Sequence, residues 1–452
     1  MQFSRLAYDS PDDISFGFAK TPLRYGLGLS VGDGKVVPEV KYMLKPGFEK
    51  SIESLVGEYR SVTLSVMERA VNQGMLDVQL ETEFTEPVVM NEGWSESVAR
   101  EQKDIMSKYH DEHGVRAALR ATVADVRRFG DGLRAGPHFE KMMCSVEEAV
   151  TGGSDLLSIE SRGGQEVFSH SLIRNDLQGI LFAVGILAPR DVRLLWREIV
   201  AHSHGAIPAG DTACAIANSS MVLAGGLSGR KISHALSAVI RAMCAARTLA
   251  CYEEGALGPG KDCAYENAIV KVISGYPMSM EGKMSAVAHS SLVGNVAAAA
   301  CDIWSNETIV ADELFGGKST AVIFEMLGYD TALMNEAIRS GSQAALQRLY
   351  VGSDMYRDPQ ALVLCPENTF RIASAMISEK TDYARTVAAG MEALRVIEES
   401  LEKLHLPEIE LRYLGQLKRF LSAPPEESRL IEDSLKKFAG KIPEFKQSSY
   451  GL

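Results

Sequence analysis

Between residues 51 and 72, Leu55, Tyr59, Val62, Val66 and Ala70 recur at steps of three and four. That spacing gathers them on one face of a helix, which Gly74 then stops. Val78, Gln79 and Leu80 follow as a short strand. The rhythm then repeats. A helical stretch over 94–110 ends at Gly114 and leads into an apolar strand over 115–119. Another, over 139–150, ends at Gly152 and Gly153 and leads into a strand over 156–159. Residues 179–187 read as a strongly apolar strand followed by a helix at 191–201. A further strand at 206–209 precedes helices at 214–223 and 231–248, and residues 249–252, 276–280 and 321–324 read as strands six, seven and eight.

Helix, glycine stop and short apolar strand, repeated about eight times, is the pattern of parallel βα units. Eight such units in about 270 residues fit a closed α/β barrel of the TIM (β/α)8 type better than an open doubly wound sheet. The organisation expected is an irregular N-terminal arm over 1–48, the barrel over 49–329, and a helical C-terminal layer over 330–452 packed on it. Strand signals fade beyond 327, and helical stretches at 386–404 and 426–438 define that layer.

Composition narrows the function classes. A net charge of −12 disfavours a nucleic-acid partner, because phosphate binding needs a basic face. No apolar run reaches the roughly 18 residues of a membrane span, and no basic-then-apolar leader opens the chain, so a cytoplasmic protein without a membrane partner is expected. The seven cysteines are widely spaced with no CxxC pair. Such usage fits a reducing compartment, where cysteines serve as small buried apolar residues or as metal and catalytic ligands.

Barrels of this type carry their chemistry at the C-terminal ends of the strands. Glu160 ends the strand at 156–159, Cys214 follows the strand at 206–209 through Gly210-Asp211-Thr212-Ala213, and Cys263 follows strand six through Gly258-Pro259-Gly260-Lys261-Asp262. All three would face one mouth. Each cysteine is read as opening a helix, whose N-terminus lowers a thiol pKa and favours the thiolate that binds metal. Two thiolates and a carboxylate leave a fourth tetrahedral position open, as in a catalytic zinc site. Buried packing is the ordinary alternative for any one of these cysteines, and a helix cap or ion pair for the glutamate. Glu81 and Glu83, after the strand at 78–80, are placed to line the same cavity. The pair His202 and His204 precedes a strand and so belongs to the opposite face. Phe315-Gly316-Gly317-Lys318-Ser319 ends like a phosphate-binding loop, but Asp312 stands where that motif needs glycine.

Longer strings carry a more specific signal. Ser158-Ile159-Glu160-Ser161, Gly258-Pro259-Gly260-Lys261-Asp262-Cys263, Tyr265-Glu266-Asn267, Met280-Glu281-Gly282-Lys283 and Trp304-Ser305-Asn306-Glu307 resemble the methanol-activating subunit of methanol:corrinoid methyltransferases. The likeness runs nearly end to end. It implies a TIM barrel whose zinc is held by one Glu and two Cys, matching Glu160, Cys214 and Cys263. It also implies methyl transfer from methanol to the Co(I) corrinoid of a separate partner protein, and assembly as a homo-oligomer or a heterotetramer with that partner. Zinc would polarise the methanol oxygen, and Glu81 and Glu83 are the candidate proton donors as the oxygen leaves. Ala213, Ile216 and Ala264 stand where the family commonly has Asp, Gln and Gly. A more apolar surround keeps another methyl donor open, such as a methoxylated compound or a methylthiol. A zinc barrel hydrolase is the rival class, and it lacks the His-rich strand ends it would need.

Overall fold

A computed structural model describes residues 2–44, 47–128, 132–225, 232–289, 291–310, 313–314 and 317–452. An antiparallel hairpin opens the chain, β1 (Phe18–Tyr25) paired with β2 (Leu29–Asp33). Seven parallel strands follow: β3 (Val37–Leu44), β4 (Asp77–Phe84), β5 (Arg116–Val123), β6 (Leu156–Ile159), β7 (Ile207–Asp211), β8 (Ser279–Glu281) and β9 (Ile303–Val310). They form one curled sheet in the order β7-β6-β5-β4-β3-β9-β8. Each crossover carries helices over the outside, and Ser51 caps the first of them, Ile52–Asn72, by accepting a bond from the Ser54 amide.

Between β7 and β8 the ring is completed by residues 257–262, an irregular segment without a regular ladder. The Leu257 amide donates to Pro208 O at 2.8 Å, the Gly260 amide to Pro277 O at 3.2 Å, and the Glu281 amide to Asp262 O at 3.0 Å. A β-bridge joins Gly260 to Met278. Backbones approach so closely here that a Cβ on Gly260 would stand 2.6 Å from both Asn267 Nδ2 and Tyr252 Oη, so glycine is required. With this segment the strands close into the eight-unit barrel expected from the sequence, each unit beside its sequence neighbour.

Three expected strands are helical. Residues 179–187 belong to Leu177–Phe182 and the wide turn Ala183–Leu187, which run on into the helix Ala188–His202. Residues 249–252 end the helix His234–Glu253, and 321–324 lie within Ser319–Arg339. The sixth and eighth positions are taken instead by 257–262 and by β9. The barrel also starts earlier than residue 49, because β3 lies inside the stretch read as an arm. The hairpin plugs the N-terminal end, where Tyr25, Leu29 and Val31 pack with Val37, Ala118, Leu156, Ala209 and Ile303.

The helix His234–Glu253 is apolar and long enough to cross a membrane, yet it is wholly buried in the fold. Helix Asp382–Glu399 of the C-terminal layer packs along it. His202 and His204 sit at the N-terminal end of β7, 3.7 and 3.6 Å from Glu147. Phe315, Gly316 and Asp312 of the phosphate-loop-like string lie outside the described residues.

Candidate metal centre

The three expected ligands come together at the C-terminal mouth. One donor atom from each of Glu160, Cys214 and Cys263 lies within 4.8 Å of the others, and Cys263 Sγ is 3.2 Å from Glu160 Oε1. Two ligands at about 2.0 and 2.3 Å from one tetrahedral ion stand about 3.5 Å apart, so this donor set fits a single zinc-sized cation. Glu160 follows β6 directly, and Cys214 opens the wide helical turn Cys214–Asn218 after β7. Cys263 differs from expectation: the next helix begins only at Asn267, so turns, and not a helix N-terminus, present this thiol. Burial, with Cys214 and Glu160 beside it, pushes the Cys263 thiol well above its usual range. A dication among these donors reverses that balance, since a coordinated thiol is deprotonated outright.

Buried polar groups orient both cysteines. Asn218 Nδ2 lies 3.4 Å from Cys214 Sγ and 3.2 Å from Cys263 O. The Arg241 guanidinium bonds Asn218 Oδ1 and meets Glu266 Oε2 at 2.6 Å, while Glu266 Oε1 accepts from the Ala213 amide at 3.1 Å. Such a chain fixes ligand rotamers ahead of the metal.

Beneath the donors lies a charge cluster that sequence reasoning missed. Lys41 Nζ, on β3, is 3.2 Å from Glu83, 3.6 Å from Glu160 and 3.4 Å from Glu307. Lys261 Nζ is 2.8 Å from Glu81 and 3.3 Å from Glu160, and it bonds Asp262. Deeper still, Arg120 Nε donates to Glu39 Oε2 at 3.0 Å. Two further carboxylate groupings, around Asp262 with Glu281 and around Glu39 with Glu81, already have these cationic nitrogens among them, so neither is an open cation site. The signal available was the alternation of Glu39 and Lys41 along β3, which aims both into the barrel.

The local electrostatics follow from these pairs. Burial raises the Glu160 carboxyl, but Lys261, Lys41 and the Cys263 thiol outweigh it and hold the group at about 2. Glu81 is pushed up to about 8 by burial and by Asp262, with Lys261 opposing. Burial also raises Glu83, against the pull of Lys41. The two candidate proton donors thus separate in space. Glu83 lines a cleft of about 460 Å³ with Met43, Phe84, Glu160, Cys214 and Ala215. Glu81 lies below it, fully buried, accepting from Thr122 Oγ1 at 2.6 Å. Ala213, Ile216 and Ala264 are buried at 1%, 3% and 0% exposure and none lines the cleft.

The other cysteines stand apart. Cys144 lies in Pro137–Thr151, Cys244 and Cys251 lie in His234–Glu253, and Cys365 precedes the helix Pro366–Ile377. Cys251, expected within a strand, instead points its thiol at Thr248 O, 3.0 Å away.

The model of the methanol-cobalamin methyltransferase B subunit family matches residues 1–451. The chain belongs to this family. It is 40% identical over 457 residues to a methanol–corrinoid protein co-methyltransferase of Methanosarcina barkeri, covering 100% of this chain and 99% of that protein. Its fold superposes on the crystal structure of the methanol:cobalamin methyltransferase complex MtaBC from Methanosarcina barkeri with a TM-score of 0.96. The identity there is 39%, over 100% of this chain and 99% of that one.

Proposed function

We propose that this chain transfers the methyl group of methanol to the reduced corrinoid of a partner protein, acting in the cytoplasm with one zinc held by Glu160, Cys214 and Cys263. The observation that carries the reading is the Cys-Cys-Glu donor set at the floor of an open cleft, in a chain alike over its full length to a methanol–corrinoid methyltransferase. When bound, the metal supplies Lewis acidity that makes the methanol oxygen a better leaving group.

The remaining work falls to the protein. The cleft of about 460 Å³ is several times the ~30 Å³ of a water-sized molecule, so space remains above a one-carbon alcohol for the face of a partner's cofactor. As the C–O bond breaks, its electron pair stays on oxygen, the methyl group bonds to the corrinoid cobalt, and oxygen needs a proton to leave as water. Glu83 is the carboxyl at the cleft, and burial keeps it protonated to higher pH than an exposed glutamate. Lys41 at 3.2 Å holds its side chain in place. Glu81, walled off beneath, acts on the charge of Lys261 and not on substrate.

The reading is tested by mixing zinc-loaded protein with a corrinoid protein reduced to Co(I) and adding methanol, with methylation followed by the corrinoid absorption spectrum. Methanol-dependent methylation is the expected result. Methylation from a methoxylated compound or a methylthiol, with none from methanol, would overturn the substrate. No methylation from any of these donors, with the two proteins failing to co-elute, would overturn the class. Glu83→Gln should lower the rate about a hundredfold or more, within the range of about 10²–10⁴ that general acid catalysis provides. Glu83→Gln at the wild-type rate would assign the proton to another source.

A further inference from the structure

Lys41 sits midway along β3 with its side chain 3% exposed, and its ammonium nitrogen has carboxylate oxygens on every side. Glu83 lies at 3.2 Å, Glu307 at 3.4 Å, Glu160 and Glu281 at 3.6 Å, and Asp262 at 3.8 Å. These come from β4, β9, the end of β6, β8 and the closing segment, so one nitrogen ties together five separate stretches of the barrel. Of the five, Glu160 is read above as a metal donor. The other four are hard oxygen ligands within reach of the same floor, and zinc accepts carboxylate oxygen readily. Glu281 has both carboxylate oxygens without a hydrogen-bond donor although it is fully buried.

We infer that Lys41 is a positioning residue that keeps the surplus carboxylates off the metal, so that the donor set stays at two sulfurs and one oxygen with a position open for substrate. The inference rests on Glu160, Cys214 and Cys263 being the donors. Its logic is a competition of charges. A fixed ammonium in the middle of the cluster attracts the carboxylate oxygens by charge, in competition with a dication that would otherwise recruit them. It also repels that dication, since like charges in a weakly screened interior interact strongly. Catalytic sites differ from structural ones in keeping a coordination position free. A lysine at the centre of five carboxylates achieves that where the local sequence supplies far more oxygen than three ligands need.

This predicts a sign that a purely structural lysine would not give. In Lys41→Met the protein should bind zinc more tightly, by about tenfold or more, because one repelling charge is gone and further oxygens are free to ligate. Methanol-dependent methylation should fall by a similar factor or more. With Co(II) in place of zinc, the visible ligand-field bands should weaken as coordination rises above four, and X-ray absorption at the zinc edge should count extra oxygen neighbours with the same two sulfurs. Lys41→Arg, which restores the charge, should return the spectrum toward wild type. If Lys41→Met fails to fold, Lys41→Gln is read in the same way. Wild-type zinc affinity and an unchanged Co(II) spectrum in the neutral variant would overturn the inference, as would weaker zinc binding. Cys214→Ala run alongside separates the two readings: retention of metal there would remove the donor set itself, whereas loss of metal there with an unchanged Lys41→Met spectrum removes only the role given to Lys41.

Discussion

Replacing Cys214 with alanine is expected to cost the protein its zinc and its methyl-transfer activity together, and Cys263→Ala should do the same. With the three proposed donors holding one ion, elemental analysis of the wild type should return one zinc per chain, and deleting a thiolate would leave two protein ligands for a metal that requires at least three. Neither change should unfold the barrel, because both sulfurs sit at the mouth while the apolar core packs around the strands and their covering helices. The contrast set makes the prediction specific. Serine at Cys144, Cys244, Cys251, Cys301 or Cys365 should leave the metal bound, since each lies in or beside helices away from the cluster. Cys244 and Cys251 will lower stability first, because a hydroxyl then replaces a buried thiol in a helix with no exposed face. Wild-type zinc content in Cys214→Ala, or zinc loss confined to Cys251→Ser, would remove Cys214 from the donor set.

Much of the barrel was legible from periodicity, and the misreadings share one cause. β6 was read to the residue, because Leu156–Ile159 is a short apolar run preceded by a glycine stop and followed by Glu160. Residues 179–187 and 249–252 are apolar too, but they lie in helical stretches with no exposed face, and 321–324 lies in the largely buried first turns of Ser319–Arg339. Every residue from Ala235 to Glu253 is buried, so no polar stripe marks the helical period and its last turn looks like a strand. A short all-apolar run carries no period to choose between the two.

Two of the strands that escaped notice, β3 and β9, carry charge inward, as β4 and β5 also do. β3 aims Glu39 and Lys41 into the barrel, and β9 runs through Trp304, Ser305, Asn306 and Glu307. Residues 257–262 carry Gly258, Pro259 and Gly260, which read as a loop and yet complete the ring. These segments look polar or irregular because they build the floor of the site and not its hydrophobic wall. That Glu160, Cys214 and Cys263 share one mouth could be read because strand-end position is a one-dimensional property. The Lys41 cluster could not, since it depends on five segments meeting in space.

Glu160→Gln is the second change with a large expected effect, and it tests chemistry apart from metal loading. The amide has the same shape but no charge. In the wild type Glu160 Oε1 faces Lys261 at 3.3 Å and Lys41 at 3.6 Å, with Cys263 Sγ at 3.2 Å. An amide oxygen in the Oε1 position keeps these three neighbours but carries no net charge, and the flipped amide sets NH2 against two ammonium groups. Both arrangements weaken a donor role. Removing one negative charge also changes how the metal acts on the leaving oxygen. Methylation should therefore fall by two or more orders of magnitude, about 3 kcal/mol or more of transition-state stabilisation, even in preparations reloaded with zinc. Because the carboxyl is held down at about 2, it stays ionised throughout the neutral range, so the defect should persist from mildly acidic to mildly alkaline pH and should not be rescued by raising it. Glu83→Gln, by contrast, should alter the pH profile of the rate, since burial raises that carboxyl. Full zinc occupancy with wild-type turnover in Glu160→Gln would show that Glu160 is not a ligand, and the centre would then reduce to the two cysteines and a donor still to be assigned among the carboxylates around Lys41.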